Sequence, residues 1–211
     1  MHHPDPGLTL RVNRILHPVT TLGPGRRLAL WVQGCVLACP GCASADTWDP
    51  RGGTEHQGGD LARHVAGLLD AERLDGLALT GGEPTDQPDA CAALLDAVAA
   101  HFGADLDAVL FTGHTLAAAR RRAPGLIARC SIVVAGRYDR TRPGDRPLVA
   151  SANQELFFTD AEARARYDRW AASGPPTLQV SVDADDVSLV GLQRPARRRC
   201  RSPWTPTTSR S

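Results

Sequence analysis

Four short apolar runs constrain this chain more than anything else in it: Leu28-Ala-Leu-Trp-Val32, Leu77-Ala-Leu-Thr80, Ala108 to Thr112 and Ser131 to Ala135. Short runs bounded by turn residues read as buried strands, and apolar residues at i, i+4, i+7 and i+8 read as the inner face of a helix. Helical spacing fills the gaps between the runs. Leu61, Val65, Leu68 and Leu69 follow it behind Asp60, a candidate N-cap. Cys91, Leu94, Leu95 and Val98 follow it behind the start signals Thr85, Asp86 and Pro88, and Thr115 can cap an Ala-rich helix reaching Arg122. Strands alternating with helices predict an α/β architecture with a parallel sheet and right-handed crossovers. Functional loops then lie at the carboxyl ends of the strands, which places Cys35, Gly81 and Thr112-Gly113 on one face. Past residue 140 the pattern weakens to a loop containing Ser151-Ala-Asn-Gln154, a short helix from Asp160 to Ala171, and a terminal hairpin of Leu178 to Val182 and Val187 to Val190.

The 211 residues suit one folded domain, 1–193, followed by an Arg-rich tail, 194–211, that holds six Arg and no acid and reads as disordered. All 24 basic residues are Arg, so a P-loop lysine, a pyridoxal Schiff base and any lysine nucleophile are excluded. No apolar run approaches the roughly 20 residues of a membrane span, and the start Met-His-His-Pro-Asp has neither the basic nor the apolar region of a signal peptide. A cytoplasmic protein with no membrane and no nucleic-acid partner is the expectation.

Six cysteines are too few to staple a chain of this length, and three of them cluster as Cys35-x3-Cys39-x2-Cys42. Zinc takes four ligands, and here the fourth would have to be remote, such as His17, His56 or an isolated cysteine. Three thiolates on one compact loop can instead hold three irons of a 4Fe-4S cluster and leave the fourth iron open to an outside ligand. Cys91 on an apolar helix face and Cys130 before a strand read as core residues.

The triplet, with Gly81-Gly82-Glu83-Pro84 beginning 39 residues after Cys42, resembles the radical S-adenosylmethionine enzymes. Gly23-Pro-Gly-Arg26, Trp31-Val-Gln-Gly-Cys35, Cys39-Pro-Gly-Cys42, Thr47-Trp48, Thr80-Gly-Gly-Glu-Pro84, Phe111-Thr-Gly-His-Thr115, Val133-Val-Ala-Gly136 and Ser151-Ala-Asn-Gln154 then occur in the order found in the activating proteins of anaerobic ribonucleotide reductase. The likeness spans residues 23 to 154. Departures are Ala43, where an aromatic often follows the last cysteine, Ala135 in place of Asp and His114 in place of Tyr.

The resemblance implies an enzyme in which Cys35, Cys39 and Cys42 hold one 4Fe-4S cluster. The cluster cleaves S-adenosylmethionine to methionine and a 5'-deoxyadenosyl radical. That radical takes hydrogen from a glycine of a partner anaerobic ribonucleotide reductase, with flavodoxin or ferredoxin as the one-electron donor. It places Gly41 and Ala43 of the cysteine loop, Thr80 with Gly81, Gly82, Glu83 and Pro84, and the more distant Thr112 and Asn153 around the sulfonium cofactor. Glycines there allow backbone to approach a ligand. Glu83 is implied as an acceptor for the methionine ammonium, against the plainer reading of an acid at a helix start. Trp48 is a candidate to stack on adenine, against a core role. A full TIM barrel needs about 250 residues, so an incomplete (β/α)6-type barrel of mostly parallel strands is expected, its open flank admitting a loop of another protein. Two alternatives stay open: the same radical chemistry on a peptide or small metabolite, and a non-catalytic metal or iron-sulfur protein.

Overall fold

The computed structural model describes residues 8–102, 106–182 and 187–191. Seven strands form one sheet: β1 (Thr9–Val19), β2 (Arg27–Val32), β3 (Thr54–Gln57), β4 (Gly76–Gly81), β5 (Asp107–Thr112), β6 (Ile132–Ala135) and β7 (Glu155–Phe158), in the order β3-β1-β2-β4-β5-β6-β7. The middle four, β2-β4-β5-β6, are parallel, with Trp31 beside Thr80, Leu79 beside Leu110 and Thr112 beside Ala135. β1 and β3 on one side and β7 on the other are antiparallel. The six β/α units of the expectation resolve as four parallel strands with three antiparallel ones added. β1 reaches β2 through the turn at Gly23-Pro24-Gly25, too short for a crossover, and β7 follows β6 with no helix between them. A separate hairpin, β8 (Leu178–Val182) and β9 (Val187–Gly191), closes the described chain.

Alternation of side chains along the strands sends Leu28, Leu30, Leu77, Leu79, Leu110 and Val133 to one face, where they meet four helices. These are α1 (Gly58–Ala71), α2 (Pro88–Phe102), α3 (Leu116–Arg122) and α4 (Pro124–Ala128). Leu61, Val65 and Leu69 of α1 and Cys91, Leu94, Leu95 and Val98 of α2 are all buried there. Ala29, Trp31, Ala78, Val109, Ile132 and Val134 face the other way, onto Leu148, onto Tyr167 of α5 (Ala161–Ala172) and onto Val190 of the hairpin. Four helices thus cover one face of the sheet, and α5 with the hairpin packs on the other.

Two caps form as the residue types require: the Thr115 hydroxyl accepts from the Ala118 amide at 3.3 Å and the Asp160 carboxylate from the Ala163 amide at 2.7 Å. Asp60 does not cap α1. That helix starts two residues earlier, at Gly58, because the Gly58 amide bonds the Leu8 carbonyl at 2.9 Å, and Asp60 in the first turn pairs with Arg63 instead. Arg27 is fully buried and ion-paired at 2.5 Å with Asp107, tying β2 to the start of β5. The tail 194–211 lies outside the described residues, as does the hairpin tip Asp183–Asp186. Among the described residues no helix is long and apolar enough to cross a membrane.

Candidate active site

The site is built where β2 and β4 end side by side. Beyond Val32 the chain turns through Gln33 and Gly34 into the cysteine loop, and beyond Gly81 it turns through Gly82 into Glu83. The two turns are stitched by backbone: Gly82 N–H donates to Val32 C=O and Glu83 N–H to Gly34 C=O, each at 2.8 Å. Gly81 has φ +97°, and a Cβ there would sit 2.7 Å from the Trp31 Cα, while one on Gly82 would collide with the Gly34 carbonyl. Both glycines are thus demanded by the neighbouring protein backbone, whatever else approaches them.

The cysteine loop is closed on itself. Gly34 N–H donates to Thr47 C=O at 2.7 Å and Cys35 N–H to Trp48 C=O at 3.1 Å, so residues 34–35 and 47–48 form the neck. Gln33, buried and unassigned by the sequence reading, holds that neck: its amide donates to Asp49 C=O at 2.7 Å and accepts from Asn13 at 2.8 Å. The signal was present in Trp31-Val-Gln-Gly-Cys35, where a polar residue sits between a buried strand and a loop. Within the loop, burial pushes the Cys35 thiol up while the Leu37 and Ala38 amides pull it down, and the Ser44 amide donates to Cys42 Sγ at 3.4 Å.

Cys35, Cys39 and Cys42 all line one cavity, with Gly41 and Ala43 between and after them, Thr80, Gly81, Gly82 and Glu83 beside them, and Thr112 at the end of β5. The cavity holds about 200 Å³. Seven of its lining residues are glycines, so backbone N–H and C=O groups, rather than side chains, face much of it. Leu37, Phe111 and Val149 supply its apolar wall. Among the described residues no three His, Cys, Asp or Glu side chains are placed to hold a single metal ion.

Glu83 is 1% exposed and fully engaged. Oε1 accepts from the Thr85 amide at 3.0 Å, the Thr85 hydroxyl at 2.7 Å and the Thr112 hydroxyl at 2.8 Å, and Oε2 accepts from the Gly113 amide at 2.8 Å. It therefore caps the 3-10 turn Pro84–Asp86 and clamps the end of β4 to the end of β5. Thr112 meets the cavity with its hydroxyl committed to Glu83, and Pro84 is buried behind the lining as the first residue of that turn.

The remaining expectations separate. Asn153 does not line the cavity; its amide donates to Arg137 C=O at 2.7 Å, and its Oδ1 is buried with no partner. Gln154 beside it does line the cavity, bonding Ala150 N–H at 2.9 Å and Gly136 C=O at 3.0 Å. Trp48 is half-buried and outside the lining, and its backbone accepts from the Cys35 amide and donates to Ala45 C=O at 3.2 Å. Beside Phe111, the other aromatic on the cavity wall is Tyr138: a Cβ on Gly41 would lie 3.8 Å from its ring and 3.5 Å from Arg140. Tyr138 stands three residues beyond Ala135, the end of β6, a strand-end position of the kind that carries function.

The donor set fits an iron-sulfur cluster with a zwitterionic ligand. Three cysteines line the same cavity, amides point at two of their sulfurs, and seven glycines among the lining leave backbone donors and acceptors for an amino acid headgroup.

Residues 21–157 match the model of a family described as a 4Fe-4S single cluster domain. The anaerobic ribonucleoside-triphosphate reductase-activating protein of Enterobacteria phage T4 is 30% identical over 140 residues, 64% of this chain and 85% of the relative. That of Vibrio cholerae serotype O1 is 32% identical over 139 residues, 64% of this chain and 88% of the relative. A solved structure, QueE from Escherichia coli, covers 75% of this chain and 67% of its own at 14% identity, with a TM-score of 0.39, too loose to bear on function. The chain belongs to the single-cluster 4Fe-4S domain family and, within it, to the anaerobic ribonucleoside-triphosphate reductase-activating proteins of the radical S-adenosylmethionine superfamily. It is an enzyme whose cofactors are a 4Fe-4S cluster and S-adenosylmethionine.

Proposed function

We propose that Cys35, Cys39 and Cys42 each hold one iron of the cluster, and that the protein installs a radical on a glycine of an anaerobic ribonucleotide reductase. The observation that carries this reading is the single cavity at the carboxyl ends of parallel strands, which all three cysteines and the Gly81-Gly82-Glu83 turn line together. Bound there and reduced, the cluster supplies the electron that splits S-adenosylmethionine into methionine and a 5'-deoxyadenosyl radical.

The chain's own residues do the rest. Gly81 and Gly82 leave the cavity floor as bare backbone. Glu83 acts chiefly as a positioning residue, holding Thr112 and Gly113 against the floor. Leu37, Phe111 and Val149 keep water from the reacting carbon, and the Tyr138 ring offers a flat surface to adenine. The strand order ends at β3 and β7, which we read as a partial barrel open on one flank, through which a glycine-bearing loop of the partner enters. A flavodoxin or ferredoxin supplies electrons.

The test is anaerobic reconstitution with iron and sulfide, followed by reduction with S-adenosylmethionine and the unactivated reductase. The expected results are 5'-deoxyadenosine and a glycyl radical doublet in the electron paramagnetic resonance spectrum. Full iron loading after all three clustered cysteines become alanine, or 5'-deoxyadenosine without a glycyl radical, overturns the assignment.

A further inference from the structure

The hairpin β8–β9 wears its side chains inside out. Along Leu178–Val182 the apolar residues Leu178, Val180 and Val182 are 45%, 56% and 71% exposed, and the polar ones between them turn inward. Gln179 donates to Pro18 C=O at 2.7 Å and accepts from Thr20 N–H at 2.9 Å, and Val190 on the paired strand is buried against the core. Across the ladder from Val180 stands Leu189, 53% exposed. A sheet face that meets only water alternates the other way, and contiguous exposed apolar surface marks an interaction site.

The location of this face says what covers it. Gly191, the last residue of β9 and the ladder partner of Leu178, lines the cofactor cavity. Every exposed large hydrophobic among the described residues is either on this hairpin or is Val36, 80% exposed between the cavity-lining Cys35 and Leu37. The two apolar features therefore stand on the rim of one cleft. Arg140, which also lines that cleft, has no ion-pair partner among the described residues. A specific interface needs about 800 Å² from each partner, more than one narrow ribbon supplies, so its occupant must also straddle the rim. The residues after Gly191 hold six Arg in residues 194–211 and scattered prolines, a poor cover for an apolar ribbon. The hairpin lies outside the span 21–157 matched by the family model.

We propose that the outward face of the hairpin, with Val36 across the cleft, is the docking surface for the glycyl radical enzyme, seating its apolar surface so that the glycine-bearing loop reaches the cavity. This rests on the activase reading and extends it to where the partner sits.

Carbene footprinting of the full-length chain under anaerobic conditions tests it. In the free protein Leu178, Val180, Val182 and Leu189 are labelled, and the unactivated reductase lowers that labelling at least five-fold. The variant Val180→Ser/Leu189→Ser, altered only on the outward face, binds the reductase at least ten-fold more weakly. It forms 5'-deoxyadenosine in dithionite without partner at the wild-type rate. Unchanged labelling on adding reductase, wild-type affinity in the variant, or no binding by the wild type each overturns the docking surface. In the first two cases a normal glycyl radical signal leaves the activase reading standing. Labels already blocked in the free chain also overturn it: block independent of concentration assigns the face to this chain's own residues 192–211, and block rising with concentration to a second copy. Hairpin-dependent binding with no glycyl radical refutes the activase reading and retains the surface.

Discussion

Replacing Glu83 with Gln separates two roles that the sequence alone left open. The carboxylate is buried and accepts four hydrogen bonds, three at Oε1 and one at Oε2. Gln keeps the shape and one acceptor but turns the other oxygen into an NH2, which then faces the Gly113 amide donor to donor. An unsatisfied buried N–H costs about 1–3 kcal/mol, and exchanging a charged acceptor for a neutral one weakens the three retained bonds. The expected loss is about 2–4 kcal/mol of unfolding free energy, since the neighbouring hydroxyls of Thr85 and Thr112 can rotate to recover part of it. Urea denaturation of the apoprotein measures this without any cofactor present. If Glu83 served mainly to meet the methionine ammonium, E83Q would unfold within about 0.5 kcal/mol of wild type, the range of a substitution that breaks nothing, and would lose only cofactor affinity. That result refutes the clamp.

Two further outcomes follow from buried charges and thiols. Burial opposes ionisation of Asp107, but Arg27, the Ser131 hydroxyl and Arg166 outweigh it and hold its carboxyl below the usual range. The stability this contributes is complete above the ordinary carboxylate pKa, about 4, and is lost as pH falls through the depressed value. D107N strands the Arg27 guanidinium, costing about 3–5 kcal/mol at neutral pH, and flattens the acid limb of a stability-against-pH curve; an unchanged acid limb contradicts the pairing. Desolvation pushes the Cys130 thiol up to about 12, and desolvation, with smaller contributions from Cys130 and Glu83, pushes Cys91 up as well. Iodoacetamide at pH 8 therefore alkylates neither in the folded apoprotein and both in denaturant, by mass spectrometry; labelling of either before unfolding contradicts the core assignment.

Local signals carried the middle of this chain. The runs at Leu28–Val32 and Leu77–Thr80 are strands, and the helical faces through Val65 and Leu94 are buried, because each depends on spacings of two or four residues along one segment. The cap at Thr115 and the helix beginning at Asp160 are legible for the same reason. β1 escaped notice because Arg14 and His17-Pro18 interrupt its alternation and its ladder is shifted near Arg14 and before Val19. Its order depends on pairing with Trp31 and Glu55, far along the chain. Glu83 showed its type and position, but not that four donors from two strand ends already surround it. Tyr138 and Gln33 gave no periodic signal, and only the meeting of loops shows what they touch.

The amino-acid order by itself determined the three-thiol loop, the glycine turn after the next parallel strand, and the alternation that brings strand ends to one side. Thiol chemistry, glycine's missing Cβ and hydrophobic period are properties of residues and their near neighbours. The tertiary structure alone decided that Gly82 is required by the Gly34 carbonyl, that Glu83 is a clamp, and that the last hairpin turns Val180, Val182 and Leu189 outward beside the cavity. These depend on which backbone lies within a few ångströms after folding, and that proximity joins segments 30 to 159 residues apart.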